Sequence, residues 1–170
     1  KELSTQLREG NVRLEDWRLQ MQRQIKNAHI ASMAAQKGGF DQLTQSDYGR
    51  AGAIIKRQYQ YLEGFVNDVQ TGKQRLDGTL QRRAQMYIDA GRNTYHRFEQ
   101  LAAVDRGFNE ERSVLNPADH CMGCIEEARK GWQPIGQMVP IGQRDCRSNC
   151  KCSVEYRQRA DDDTGTGTGA

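Results

Sequence analysis

The chain reads as a mainly α protein that ends in a small irregular α/β module, and three observations carry that reading. Apolar residues recur at steps of three and four over three long stretches separated by glycine-containing turns, which is the spacing of one helix face. All five cysteines fall between Cys121 and Cys152. At 170 residues, with 28% charged and 36% hydrophobic side chains, there is apolar material for a thin helical core only. Part of the stability is therefore expected from a bound group or a partner.

The first helix is expected from about Glu2 to Gln36, with Leu14, Trp17, Met21, Ile25 and Ala28 on one face. Arg13, Glu15, Asp16, Arg18, Gln22, Arg23 and Lys26 fall between them as a solvated face. Gly10-Asn11 offers a break that would make the first turns a separate arm, and Gly38-Gly39 supplies the left-handed stop. A second helix is expected to start at Thr44 or Ser46, either of which caps free N–H groups, with Asp47 well placed in the first turn. Its strip of Ile55, Tyr59, Leu62, Val66 and Val69 suits packing on another helix, and it should end between Gln70 and Lys73.

Asp77-Gly78-Thr79 reads as a turn and cap opening a third helix, which carries Leu80, Ala84, Tyr87, Gly91, Tyr95, Phe98 and Ala102 along one side. Glycine lowers helix propensity, so Gly91 marks a tight crossing. Arg82, Arg83, Arg92 and Arg97 leave this helix on its polar sides. The organisation that follows is a helical domain over 1–104, a linker over 105–119, a cysteine-rich module over 120–157 and an acidic low-complexity tail over 158–170. Asn116-Pro117 forces an extended or turning linker, in which Phe108, Val114 and Leu115 are anchors or part of a short strand. Ser153–Arg157 reads as a strand, and the tail as disordered without a partner.

The cysteines form two clusters. Cys121-x-x-Cys124, with Gly123 between, has the spacing of a metal knuckle, and Cys146-x3-Cys150-x-Cys152 returns three more thiols after a loop broken by Gly131, Pro134, Gly136, Pro140 and Gly142. A tetrahedral, structural Zn²⁺ held by four of the five is the favoured reading, and it makes the C-terminal module a zinc-clipped one. Two disulfides with one free thiol also fit, against an odd count and the small strained loops such pairs would close. A redox Cys-x-x-Cys is the third chemistry, without the βαβ pattern that usually surrounds one.

The net charge is only +3, which gives no strong argument for nucleic acid or a membrane, and no run has membrane-spanning length or signal-peptide pattern. A start at Lys1 rather than Met is expected of a piece of a longer polypeptide. No catalytic set is apparent: His29, His96 and His120 lie far apart, and only His120 sits beside the thiols, as a further ligand or a hydrogen-bond donor to sulfur. Glu126 and Glu127 are the nearest acids that could serve a catalytic zinc, but an all-thiolate site makes its water a poor nucleophile. The chain is thus expected not to be an enzyme. The rival is a nucleic-acid-binding zinc module, with Lys130, Arg144, Arg147, Lys151, Arg157 and Arg159 toward phosphates and Trp132 and Tyr156 toward bases. Asp119, Glu126, Glu127, Asp145 and Glu155 counter it in the same region.

The helix segment Gln85-Met-Tyr-Ile-Asp-Ala-Gly-Arg, a linker, Asp119-His-Cys-x-x-Cys, a Gly/Pro loop and a closing Cys150-Lys-Cys152 together resemble phage head-morphogenesis proteins of the Mu F-like minor head (minor capsid) class. The stretch Trp132–Gly142 looks like the loop of such proteins. The resemblance is strongest over Leu80 to Arg157. It departs where many members carry a histidine before the terminal Cys-x-Cys and this chain has Cys146-Arg-Ser-Asn. The resemblance implies a minor virion protein, present in several copies near the portal vertex of the head and made in the host cytoplasm. Its implied partners are the portal and/or major capsid protein, with possible contact to packaged DNA. The expected fold is then a three-helix stalk or bundle followed by a small irregular α/β zinc-clipped C-terminal module, whose candidate ligands are Cys121, Cys124, Cys146, Cys150 and Cys152.

Overall fold

The computed structural model describes residues 2–159. It is mainly helical, with a small three-stranded antiparallel sheet and the cysteines at the C-terminal end. Helix α1 (Glu2–Arg8) ends at Gly10, whose φ of 73° turns the chain into α2 (Leu14–Lys37). The arm folds back onto the body: Leu3 and Leu7 are buried among Trp17, Leu80 and Ala84, and Gln81 Nε2 donates to Thr5 Oγ1 at 2.6 Å. The first helix expected from the sequence is thus two.

Helix α2 is the centre of the bundle, packed against α1, α3 (Gln45–Gln70), α4 (Gly78–Asp89) and α5 (Gly91–Asp105). Its buried face carries Trp17, Met21, Ile25, His29 and Met33, a step of four throughout. Trp17 meets Phe65 of α3 edge to face at 5.3 Å, and Phe65 stacks on Tyr87 of α4 at 5.7 Å. Aromatic contacts of this geometry add to the area they bury. Gly38, at φ 89°, and Gly39 both donate backbone N–H to Ala34, which closes α2.

Helix α3 opens with a reciprocal cap. Thr44 Oγ1 accepts from the Asp47 N–H at 3.2 Å while Asp47 Oδ2 accepts from the Thr44 N–H at 3.0 Å. Asp77 caps α4 by accepting from the Thr79 N–H at 2.8 Å. The third helix expected from the sequence is broken after Asp89, where Ala90 ends α4 and precedes α5. The apolar spacing runs through the break, which is why the sequence does not announce it.

The sheet has order β2-β1-β3, from β1 (Glu110–Val114), β2 (Gln133–Pro134) and β3 (Ser153–Arg157). Its central strand lies in the segment read as linker. Glu110 faces Pro134 on one side and Arg157 on the other, and Val114 faces Ser153. Helix α6 (Met122–Arg129) packs on β1. The acidic tail lies outside the described residues, apart from its first two positions. No helix among the described residues is long and apolar enough to cross a membrane.

Candidate metal centre

Two short elements and a strand end deliver the five sulfurs. Cys121 is the residue before α6, and its carbonyl accepts from the N–H of Cys124 at 3.1 Å and of Ile125 at 3.2 Å, so the first helical turn places Cys124 beside it. Gly123 donates its N–H to Asp145 Oδ2 at 3.0 Å, not to a sulfur, and a Cβ there would stand 3.2 Å from that oxygen. The glycine therefore lets the second cluster dock on the first. Cys146 precedes a single 3-10 turn (Arg147–Asn149), in which Arg147 adopts a φ of 49°, and Cys150 follows it. Cys152 stands just before β3.

All five cysteines are brought together, and none is in a disulfide. The sulfurs of Cys121, Cys124 and Cys146 lie within 4.8 Å of one another, as do those of Cys124, Cys150 and Cys152. Cys124 Sγ is 3.5 Å from both Cys146 Sγ and Cys150 Sγ. A disulfide would need about 2.05 Å. Ligands on one tetrahedral zinc, at about 2.3 Å each, stand about 3.8 Å apart. The sulfurs thus have ligand spacing, and the residues fit a metal ion of the zinc class.

Burial shapes the chemistry. Cys124, Cys150 and Cys152 are 1%, 1% and 0% exposed and pack with Ile141, while Cys121 and Cys146 are half-buried. Burial pushes the Cys146 thiol well above its ordinary value, reinforced by its contacts with Cys124 and Cys121. It pushes Cys152 up to about 12, with Cys124 and Cys150 adding to the shift. Cys150 moves the other way: burial opposes ionisation, but the Cys152 N–H and the thiols of Cys124 and Cys146 donate to its sulfur and hold it below the usual range. A bound divalent cation would draw the neighbouring thiols into the thiolate form.

The surrounding residues hold this geometry, and most of them carry no sequence signal. Asn116 Nδ2 donates to the Lys151 carbonyl at 2.7 Å, Asn116 Oδ1 accepts from Ser153 Oγ at 3.3 Å, and the Asn116 carbonyl lies 2.7 Å from His120 Nε2. Arg144, 3% exposed, donates to the Val139 carbonyl at 3.0 Å and to Ser113 Oγ at 2.8 Å, so the arginine that the rival reading turns toward phosphate is a brace between loop and sheet. Arg157 and Arg159 pair with Glu110, and Lys130 with Glu127, leaving Arg147 and Lys151 as the exposed cations beside the sulfurs. Trp132 carries the guanidinium of Arg112 at 4.8 Å and of Arg157 at 4.3 Å over its ring, where the sequence reading had a base.

The Gly/Pro loop is anchored along its length. Gly136 donates to the buried carboxylate of Glu111 at 2.8 Å, Met138 and Ile141 are buried, and Gly142 lies so close to the side chain of Asn93 that any Cβ would overlap it. Glu127, one of the two acids considered for a catalytic role, is buried and engaged by Lys130 and by Gln133 Nε2. Glu126 is exposed. No family model, no curated protein and no solved structure compared with the chain matches it.

Proposed function

We propose that the chain is a minor structural protein of a phage head, docked at the portal or capsid interior and assisting head morphogenesis, with a structural zinc clasp at its C-terminal end. The observation that carries the clasp is the burial of Cys124, Cys150 and Cys152 at the junction of the two clusters. A catalytic zinc keeps an open position for water, whereas a closed sulfur site serves to fold the chain around it. The clasp ties α6 and the Gly/Pro loop to the sheet, and it presents Val139 and Pro140 outward from a rigid base. The assignment to a phage head rests on the motif order Asp-His-Cys-x-x-Cys, Gly/Pro loop, Cys-Lys-Cys. Particles purified from cells carrying the gene are the test: the chain should co-purify with portal and capsid proteins at a few copies per head. Its absence from every particle fraction would refute the assignment.

A second reading, a nucleic-acid-binding zinc module acting on packaged DNA, draws on one observation. Arg57, Arg83, Arg97 and Arg147 line a broad cleft between the helical bundle and the cysteine module. Arg144 lines it too, but Arg144 braces Ser113 and Arg83 pairs with Asp68, so Arg57, Arg97 and Arg147 are the guanidinium groups that would meet a phosphate backbone, and binding would fall steeply with salt. The occupied faces of Trp132 leave this reading without its main stacking platform. No affinity for single- or double-stranded DNA at physiological salt would dispose of it.

A further inference from the structure

A single zinc with four thiolates leaves one of the five cysteines over, and an imidazole stands at the edge of the cluster as a sixth donor. Cys152 is 0% exposed, and its sulfur lies 3.6 Å from His120 Nδ1. That is about the separation of a sulfur at 2.3 Å and an imidazole nitrogen at 2.0 Å bound to one tetrahedral ion. The other ring nitrogen of His120 lies 2.7 Å from the Asn116 carbonyl. A metal-bound imidazole usually donates its second N–H to such an oxygen, which fixes the tautomer and leaves Nδ1 as the ligand atom. His120 thus has the surroundings of a ligand, beside one of the buried thiols of the second cluster.

The sulfurs also fall into two triads and not one tetrad. Cys121, Cys124 and Cys146 form the first and Cys124, Cys150 and Cys152 the second, with Cys124 common to both. Cys150 Sγ belongs to the second triad, yet it lies 3.5 Å from Cys124 Sγ and its thiol also hydrogen-bonds that of Cys146 in the first. Five thiolates and one imidazole make six donors. Two four-coordinate ions need eight bonds, so two of the donors must each serve both ions.

Building on the zinc reading above, we propose that the module holds two metal ions of the zinc class bridged by the thiolates of Cys124 and Cys150. Cys121 and Cys146 complete the first ion, and Cys152 and His120 the second. Charge favours this assembly. Four thiolates on one Zn²⁺ leave two negative charges in a nearly dry cluster, whereas five thiolates on two Zn²⁺ leave one, and each uncompensated buried charge is expensive. Every thiol in the chain is then ligated, and the thiols lose their protons to solvent as the ions bind.

The test counts metal on the full chain by native mass spectrometry after zinc loading and removal of loosely held ions. Two zinc ions per chain are expected, falling to one in His120→Ala and in Cys152→Ser. Cobalt(II) gives a readout that does not depend on a variant folding: the electron-spin signal should grow with the first equivalent and weaken with the second, as two high-spin ions couple through shared sulfur. One zinc in the unaltered chain, or two in His120→Ala, overturns the bridged pair while leaving a zinc clasp intact. No zinc overturns both.

Discussion

Gly91 of α5 lies directly against the backbone of Ala28 in α2, so that a Cβ added to it would stand 3.0 Å from both the carbonyl carbon and oxygen of Ala28. The contact sets how closely α5 approaches the central helix, and it brings His29 within reach of Thr94. Gly91→Ala gains some helix propensity at the first position of α5, but backbone atoms cannot turn aside as a side chain can. Overpacking costs about 1–3 kcal/mol. Gly91→Ala should therefore lower stability modestly and Gly91→Val by about 3 kcal/mol, read from denaturant midpoints. An unchanged midpoint for Gly91→Val would mean the crossing is looser than described.

The cap of α3 gives a prediction in pH. Asp47 is 2% exposed, it accepts from both the N–H and the hydroxyl of Thr44, and it lies 3.4 Å from Lys37 Nζ. Although desolvation opposes it, those bonds hold the carboxyl below its ordinary value. A carboxyl whose pKa is lowered in the folded state contributes stability above the unfolded pKa, about 3.9, and loses that contribution as pH falls through the folded value. Thr44→Ala should cost about 1 kcal/mol at pH 7. In Asp47→Asn the drop in thermal midpoint between pH 5 and pH 2 should be smaller than in the unaltered chain.

These two sites differ in how far the sequence foretells them. The caps at Thr44 and Asp77 are legible because one side chain meets a backbone N–H two or three positions away. Gly91 is legible as a crossing but not as a helix boundary, since the apolar spacing continues across Ala90. Strand β1 is hidden because it begins Glu110-Glu111-Arg112, charged residues that signal solvent. Their partners decide otherwise: Glu110 pairs with Arg157 at 2.6 Å, and Glu111, 0% exposed, accepts from Gly136 and Gln100. At the cysteines, spacing announces a shared site, but the choice of ligands depends on where Cys152 and His120 meet, a distance no local pattern encodes. Asn116 and Asp145 act through backbone groups of other segments, so their types alone mark nothing.

His29 supplies a second titration, of opposite chemistry but the same sign. It is 0% exposed, its Nδ1 hydrogen-bonds Thr94 Oγ1 at 2.6 Å, and Nε2 has no partner among the described residues. Burial pushes its pKa down to about 4. The unfolded chain takes up the proton near pH 6.5 while the folded one resists it to about pH 4, so the unfolded state gains on acidification across that window. Stability should fall by on the order of 2 kcal/mol from pH 7 to pH 4, beginning well above the range in which Asp47 acts. His29→Gln should flatten the slope between pH 6.5 and pH 4 whatever it does to the midpoint at pH 7. A slope that persists unchanged in His29→Gln would assign it to another group.

Asn116 offers the sharpest separation of the clasp from the bundle. Its side chain joins the Lys151 carbonyl and the Ser153 hydroxyl, while the contact with His120 comes from its backbone carbonyl, which any residue would retain. Asn116→Ala therefore frees the Cys150-Lys151-Cys152 segment without removing a candidate ligand. Loss of the hydrogen bonds and of one partner of the Lys151 carbonyl should cost about 1–2 kcal/mol. Supporting groups of this kind change metal affinity by about 10–100-fold. Zinc competition against a chelating dye should show that weakening in Asn116→Ala, with hydrogen-exchange protection lost over β1 and β3 and kept over α2 and α3. Equal loss over the helical bundle would show that clasp and bundle unfold as one unit, and an affinity within about twofold of the unaltered chain would show that Asn116 does not position the ligands.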